Sequence, residues 1–181
     1  MFRACQIAIP KSDFAVPTSI AKFIGGPGNW ETIASDYFST VHAWWPIVSK
    51  RRFYEHVPNS STGQLRSDYA LLILCMKLIM DMPREQDPRT STYLAAKHSY
   101  LELEIQGVVS LQVLQAGILI ALYELGHAIF PSAAVSVEAC VRYGCELGIS
   151  WDAKFPEKKP FSWVDIEEQK RVWWSVFILD R

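Results

Sequence analysis

From Ile105 to Tyr123 the chain runs nineteen positions without a charged side chain. That approaches the roughly 20 residues a membrane-spanning helix needs. Gln106, Gln112, Gln115 and Ser110 lie inside the run, and each would leave a polar group in hydrocarbon at a cost of about 2–7 kcal/mol. The run is therefore read as a helix buried among other helices, with charged Glu104 and Glu124 bracketing it. A second segment, 64–81, places Tyr69, Leu72, Ile73, Met76, Ile79 and Met80 on one side of a helix and Leu71, Leu74, Cys75 and Leu78 on the other. A helix that is apolar all round belongs at a centre. Two such segments demand a set of amphipathic helices to cover them.

The remaining segments supply that cover. Asn29 is placed to cap a helix from Trp30 to about His42, ended by Pro46, and Ser49 to cap the short helix KRRFYEH. Helix 89–106 carries Tyr93, Ala96, Tyr100 and Leu103 on one stripe. Ser110 caps the next, with Leu111, Leu114, Ile118, Leu122 and Leu125 as its apolar stripe. Pro131 opens another that stops at Gly148, a C′ glycine, and Ser162 caps the last, with Asp165, Glu167 and Glu168 near its positive end. Seven helices cover about 60% of the chain, against roughly a third in ordinary domains. The predicted class is all-α, a multi-helix bundle of antiparallel helical hairpins. Residues 1–28 are poorly periodic, end in Gly25-Gly26-Pro27-Gly28 and read as an arm; residues 29–181 read as one domain.

Charge and motifs remove several functions. The net charge of −1 provides no global basic field for a polyanion. The four cysteines, Cys5, Cys75, Cys140 and Cys145, form no C-x-x-C pair and read as reduced thiols. His42, His56, His98 and His127 make no metal-binding spacing. Gly25–Gly28 lacks the G-K-[ST] of a phosphate loop, and no G-x-S-x-G elbow occurs. Glu102/Glu104 and Glu167/Glu168 are paired in sequence but read as facing water, and Lys50-Arg51-Arg52 reads as a solvated first turn. The ending from Val172 to Arg181 reads as a core stripe, with Trp173 and Phe177 as neighbours four apart and Val172, Val176 and Leu179 beside them. No catalytic residue is assigned.

Three blocks, in order, resemble a known family. The first is Tyr37-Phe38, His42, Pro46-Ile47-Val48 and Phe53. The second is Leu114-Gln115-Ala116 to Leu122-Tyr123, then Ala139, Val141-Arg142 and Glu146-Leu147-Gly148-Ile149. The third is Glu167 through Arg171-Val172-Trp173-Trp174 to Leu179-Asp180-Arg181. Together they are similar to the fungal-specific transcription factor domain, the middle homology region of fungal binuclear zinc-cluster regulators. The resemblance implies family-signature structural roles for Tyr37, Phe38, His42, Pro46, Gln115, Arg142, Leu147, Gly148, Arg171, Trp173, Trp174, Leu179, Asp180 and Arg181.

The resemblance implies a regulatory region of a nuclear, DNA-binding regulator of RNA polymerase II transcription. Its partners would be other protein segments (intramolecular, a homodimer or co-regulators) and a small-molecule effector, with no membrane. The family's six-cysteine zinc cluster is not found in this chain, so no cofactor, metal or DNA contact is assigned to its residues. The family pattern extends past L-D-R, so the chain reads as truncated on its C-terminal side. A free-standing helical interaction module is the alternative, and an all-α enzyme the more distant one, since the D-D-x-x-D motif of a terpenoid synthase is missing. Arg142 is expected to be a buried arginine paired with Glu138 or Glu146 and with Asp180 as a second partner.

Overall fold

The computed structural model describes residues 18–57, 65–83, 87–149 and 163–181. Among them are eight α-helices and one 3-10 turn, with no strand. The helices are α1 (Thr18–Ile24), α2 (Pro27–Ser39), α3 (Lys50–His56), α4 (Ser67–Met80), α5 (Ser91–Ile105), α6 (Leu111–Gly126), α7 (Ser132–Glu146) and α8 (Trp163–Leu179), and the 3-10 turn Val41–Ala43 follows α2. The all-α class holds.

The two apolar segments are the centre. Helix α4 is buried continuously from Ser67 to Met76, and α6 from Val113 to Ala121. They pack on each other, with α1, α2 and α5 against α4, and α5, α7 and α8 against α6. Each large side chain in this contact contributes roughly 1.5–3 kcal/mol of burial, so the α4–α6 seam dominates the core. The expected stripe of α6 is correct at Leu114 and Ile118, but Leu111, Leu122 and Leu125 are only half-buried. Coverage on every side, rather than one stripe, is what an uncharged helix receives. No described helix is long and apolar enough to cross a membrane.

Local signals set most boundaries. The Ser49 and Ser110 side chains accept hydrogen bonds from the N–H of Arg52 and Val113, three residues on. Thr90 does the same for Tyr93 in α5. Gly148 takes φ +71°, and the N–H of Ile149 returns to the Gly144 carbonyl, closing α7 as expected. Ser162 lies outside the described residues, so its cap is not seen.

Two boundaries differ from the reading. The proposed arm, 1–28, contains α1, whose Ile20 and Ile24 are buried against α4 and α5; residues 1–17 lie outside the described residues. A seven-residue helix is too short to show periodicity, and only its seat on α4 stabilises it. Lys77 of α4 donates to the Phe23 carbonyl near its end. Asn29 does not cap α2, which starts earlier, at Pro27. Its amide instead donates to the Ile24 carbonyl and closes α1.

Candidate functional site

Three acidic side chains are buried among the described residues: Asp68, Glu124 and Glu168. Two of them organise polar centres. A buried carboxylate is costly unless paired and hydrogen-bonded, so its partners show what the fold is built to hold.

Glu168 joins the three signature blocks. Its Oε1 accepts from the backbone N–H of Ser49 at 2.7 Å and from Gln115 Nε2 at 2.9 Å. Its Oε2 accepts from Arg52 Nη1 at 2.9 Å. Gln115 Nε2 also donates to the Ile47 carbonyl at 2.8 Å. Thus the loop after Pro46, the middle of α6 and the first half of α8 meet at one carboxylate, across 119 residues of sequence. Both carboxylate oxygens are occupied, so the centre is locked in one arrangement. Gln115 Oε1 is buried with no partner among the described residues.

The first block wraps this centre. His42 Nε2 lies 2.9 Å from the Val48 carbonyl, which requires the Nε2–H form there. Phe38 packs edge-on to His42 and Phe53, and Tyr37 is fully buried beneath. Burial lowers the His42 pKa. The Val48 hydrogen bond opposes this, and the positive charges of Arg171 and Lys50 add to it. Burial also drives the Tyr37 phenol up, so it stays protonated. Pro46 itself is exposed, and its role is to direct the chain into buried Ile47 and Val48.

The third block divides by face. Val172 and Val176 are buried, as expected, and Leu179 is half-buried against the core. Arg171 is half-buried, with its Nε enclosed and unpartnered among the described residues. Trp173 is half-buried against α7 at Gly144. The aromatic neighbour of Phe177 is Trp174, edge-on at 5.7 Å, and not Trp173. Residues three apart meet here because position 173 turns inward. Arg181 lies over the Phe177 ring at 4.6 Å, and Asp180 is exposed.

Arg142 is not buried. Its side chain is 68% exposed and reaches only Glu138, at 3.8 Å. It sits on the outward stripe of α7 with Val135, Glu138 and Cys145, while Ala133, Ser136, Val137, Cys140 and Tyr143 face in. Asp180 is no partner of it. Leu147, half-buried, and Gly148 close α7 beside it.

The second centre, between α5, α6 and α7, escaped the sequence reading. Glu124, fully buried, accepts on Oε1 from Tyr93 Oη at 2.7 Å and Ser132 Oγ at 2.8 Å, and pairs with Lys97 Nζ at 3.0 Å. Lys97 also donates to Ser136 Oγ at 2.7 Å. Burial pushes the Tyr93 phenol up to about 12, with the Ser132 bond lowering it and Glu124 raising it. Lys97 is paired with the Glu124 carboxylate and donates to Ser136, so it is not placed as a free base for that hydroxyl. Burial likewise holds Cys75 and Cys140 as thiols. Glu168 and Arg52 were read as wet, and Glu124 only as a bracket to the uncharged run. Glu168 and Glu124 continue inward stripes, 168-172-176 and 113-117-120-124, and that continuity was the available signal.

Neither centre pairs a nucleophile with a base; each fastens segments together. No solved structure matches the chain. The family model "Fungal specific transcription factor domain" matches residues 34–181. "Transcription factor BOA15" of Botryotinia fuckeliana (strain B05.10) is 45% identical over 137 residues, covering 75% of this chain and 76% of that protein. "Pigment biosynthesis transcriptional activator pigB" of Monascus ruber is 26% identical over 158 residues, covering 80% of this chain and 28% of that protein. "Citrinin biosynthesis transcriptional activator ctnR" of Monascus purpureus is 29% identical over 150 residues, covering 80% and 26%. The chain thus spans little more than a quarter of those two Monascus proteins. With the family pattern running over most of the chain, and its three blocks meeting at Glu168, the chain belongs to the fungal specific transcription factor domain family.

Proposed function

We propose that this chain acts as a regulatory region in transcription by RNA polymerase II, in the nucleus, and that it is not an enzyme. The observation that carries the reading is the convergence of the three signature blocks on Glu168. A centre satisfied by backbone and amide donors, with no activated group, fits a scaffold that passes contacts between segments. DNA contact and zinc belong, in this reading, to a six-cysteine cluster elsewhere in the regulator. Its partners are other protein segments, in the same chain, a second copy or co-regulators. The names of the Monascus relatives support biosynthetic genes as the targets.

The test is a fusion of the chain to a heterologous DNA-binding domain in a fungal reporter strain. A change in reporter output that Glu168→Ala abolishes is the expected result. A folded, nuclear fusion with no effect on output overturns the reading. A second reading, a free-standing helical module that binds full-length regulators, is favoured by the 76% coverage of the BOA15 protein. Co-purification with a zinc-cluster regulator, together with an inert reporter fusion, selects it.

A further inference from the structure

Helix α5 packs on α1, α4 and α6 with the side that carries Thr92, Tyr93, Ala96, Ser99, Tyr100 and Leu103, all buried. The opposite side carries Leu94, His98, Leu101 and Ile105, all exposed. Leu94 is 55% exposed, Leu101 50% and Ile105 87%. At about 100° per residue these four lie within about 60° of one another. Their steps of four, three and four residues are those of a coiled-coil seam. So short a run does not mark a seam in sequence, and only the packing of the other face shows that this one is left over. Val135 of α7, also exposed, stands beside Leu101 across the groove between α5 and α7 and widens the apolar face.

The flanks of the stripe decide what covers it. On the α7 side lie Lys97 and Glu104, which both line the groove. Lys97 gives N–H groups to Glu124 and Ser136, and its ammonium has a third. Glu104 is exposed and in no ion pair among the described residues. On the other flank lie Ala95 and Glu102. We infer that this face binds the same face of a second copy of the chain, α5 against α5, antiparallel. Turning the stripe end for end lays Leu94 on Ile105 of the second copy and His98 on its Leu101. The two-fold axis keeps each flank beside its own equivalent, so Lys97 meets Glu104 of the second copy, twice in the pair. A stripe that complements its own reverse in side-chain order and in charge favours a second copy over an unrelated helix. A parallel pair would instead stack the two His98 rings and bring Lys97 to Glu102. The other exposed apolar cluster, Trp174, Phe177 and Ile178 on α8, is partly covered from within, since Arg181 lies over the Phe177 ring.

The interface rests on the reading of the chain as a binder of protein segments and narrows its partners to a second copy at one face. The two fail separately, because a monomeric chain overturns the interface and leaves the reporter result standing. Sedimentation equilibrium of the purified chain should give a dimer with a Kd on the order of 10–100 μM, the weak end for a helix contact about 17 Å long. Ile105→Glu, which places two charges in the seam, should weaken association about thirtyfold or more, and Leu94→Ser about tenfold. Both side chains are more than half exposed, so at concentrations where the wild type is monomeric the melting temperature should stay within about 2 °C. Glu104→Lys should weaken the dimer about tenfold, by setting like charges beside each other, and Glu102→Lys should leave it unchanged. Ile178→Ser on α8 should leave it unchanged too. A chain still monomeric at about 1 mM, a dimer untouched by Ile105→Glu and Leu94→Ser, loss of the dimer with Ile178→Ser, or loss with Glu102→Lys in place of Glu104→Lys would each overturn the proposal.

Discussion

Glu168 and Glu124 are both buried carboxylates with one cation each, yet they are built differently. Glu168 uses both oxygens and takes a backbone N–H, an amide and an arginine from segments up to 119 residues away. Glu124 gathers two hydroxyls and a lysine on Oε1 alone, and its Oε2 has no partner among the described residues. The cations are equally wet, Arg52 25% and Lys97 24% exposed, so exposure does not separate the centres. Donor geometry does. A planar guanidinium and two fixed N–H groups permit one arrangement, whereas hydroxyls and an ammonium rotate. The first centre is a fastening between distant segments. The second is an adjustable one, and it lies beside the α5–α7 groove that shares Lys97 and Ser136.

The largest expected effect tests this directly. Glu168→Gln must turn its NH2 toward a donor whichever way the amide faces, because both oxygen positions are addressed. Loss of about 3 kcal/mol is expected. In a domain of this size that lowers the melting temperature by about 6–12 °C, read by circular dichroism. Glu124→Gln can place its oxygen at Oε1 and its NH2 at the unaddressed Oε2 position, so about 1 kcal/mol is expected. Equal losses for the two amides would erase the distinction.

A smaller effect concerns pH at the first centre. Burial holds the His42 pKa below its unfolded value of 6.5. The unfolded chain then binds a proton first as pH falls. The contribution of neutral His42 is fully present above about pH 6.5 and is lost as pH drops toward the folded pKa. The melting temperature of the wild type should fall more between pH 7.5 and pH 5.5 than that of His42→Gln. Parallel profiles would remove His42 from the centre. The smallest effect sits outside both centres. Arg142→Ala should leave the melting temperature within about 2 °C, like Arg51→Ala, because both arginines pair only on the surface.

Arg142 and Glu168 show where sequence reading stops. Arg142 was expected inside because a family motif holds it and two glutamates stand four residues away. Its stripe on α7, with Val135, Glu138 and Cys145, points outward, and one valine among charges was too weak a sign. Glu168 was expected outside because its neighbour Glu167 is, and Glu167 does face water. Adjacent helical residues point about 100° apart, so one of the pair can be wet and the other dry. Arg52 was grouped with Lys50 and Arg51 in one basic run, yet it turns to Glu168 while Arg51 stays with Glu55. Short α1 carried too few turns for a period to be seen.

The sequence by itself determined the all-α class, the central place of α4 and α6, the Ser49 and Ser110 caps and the C′ glycine of α7. Each depends on residues within a few turns of one another: an uncharged run has nowhere to go but a centre, and a cap bonds its own first turn. The three-block order in the chain also marked the family. The tertiary structure alone decided which charges lie inside, that Gln115 and Glu168 meet under the Pro46 loop, and that the side of α5 with Leu94, Leu101 and Ile105 is left uncovered. Those depend on what packs across a helix from segments far away in the chain, and a local period says which residues share a face but not what covers it.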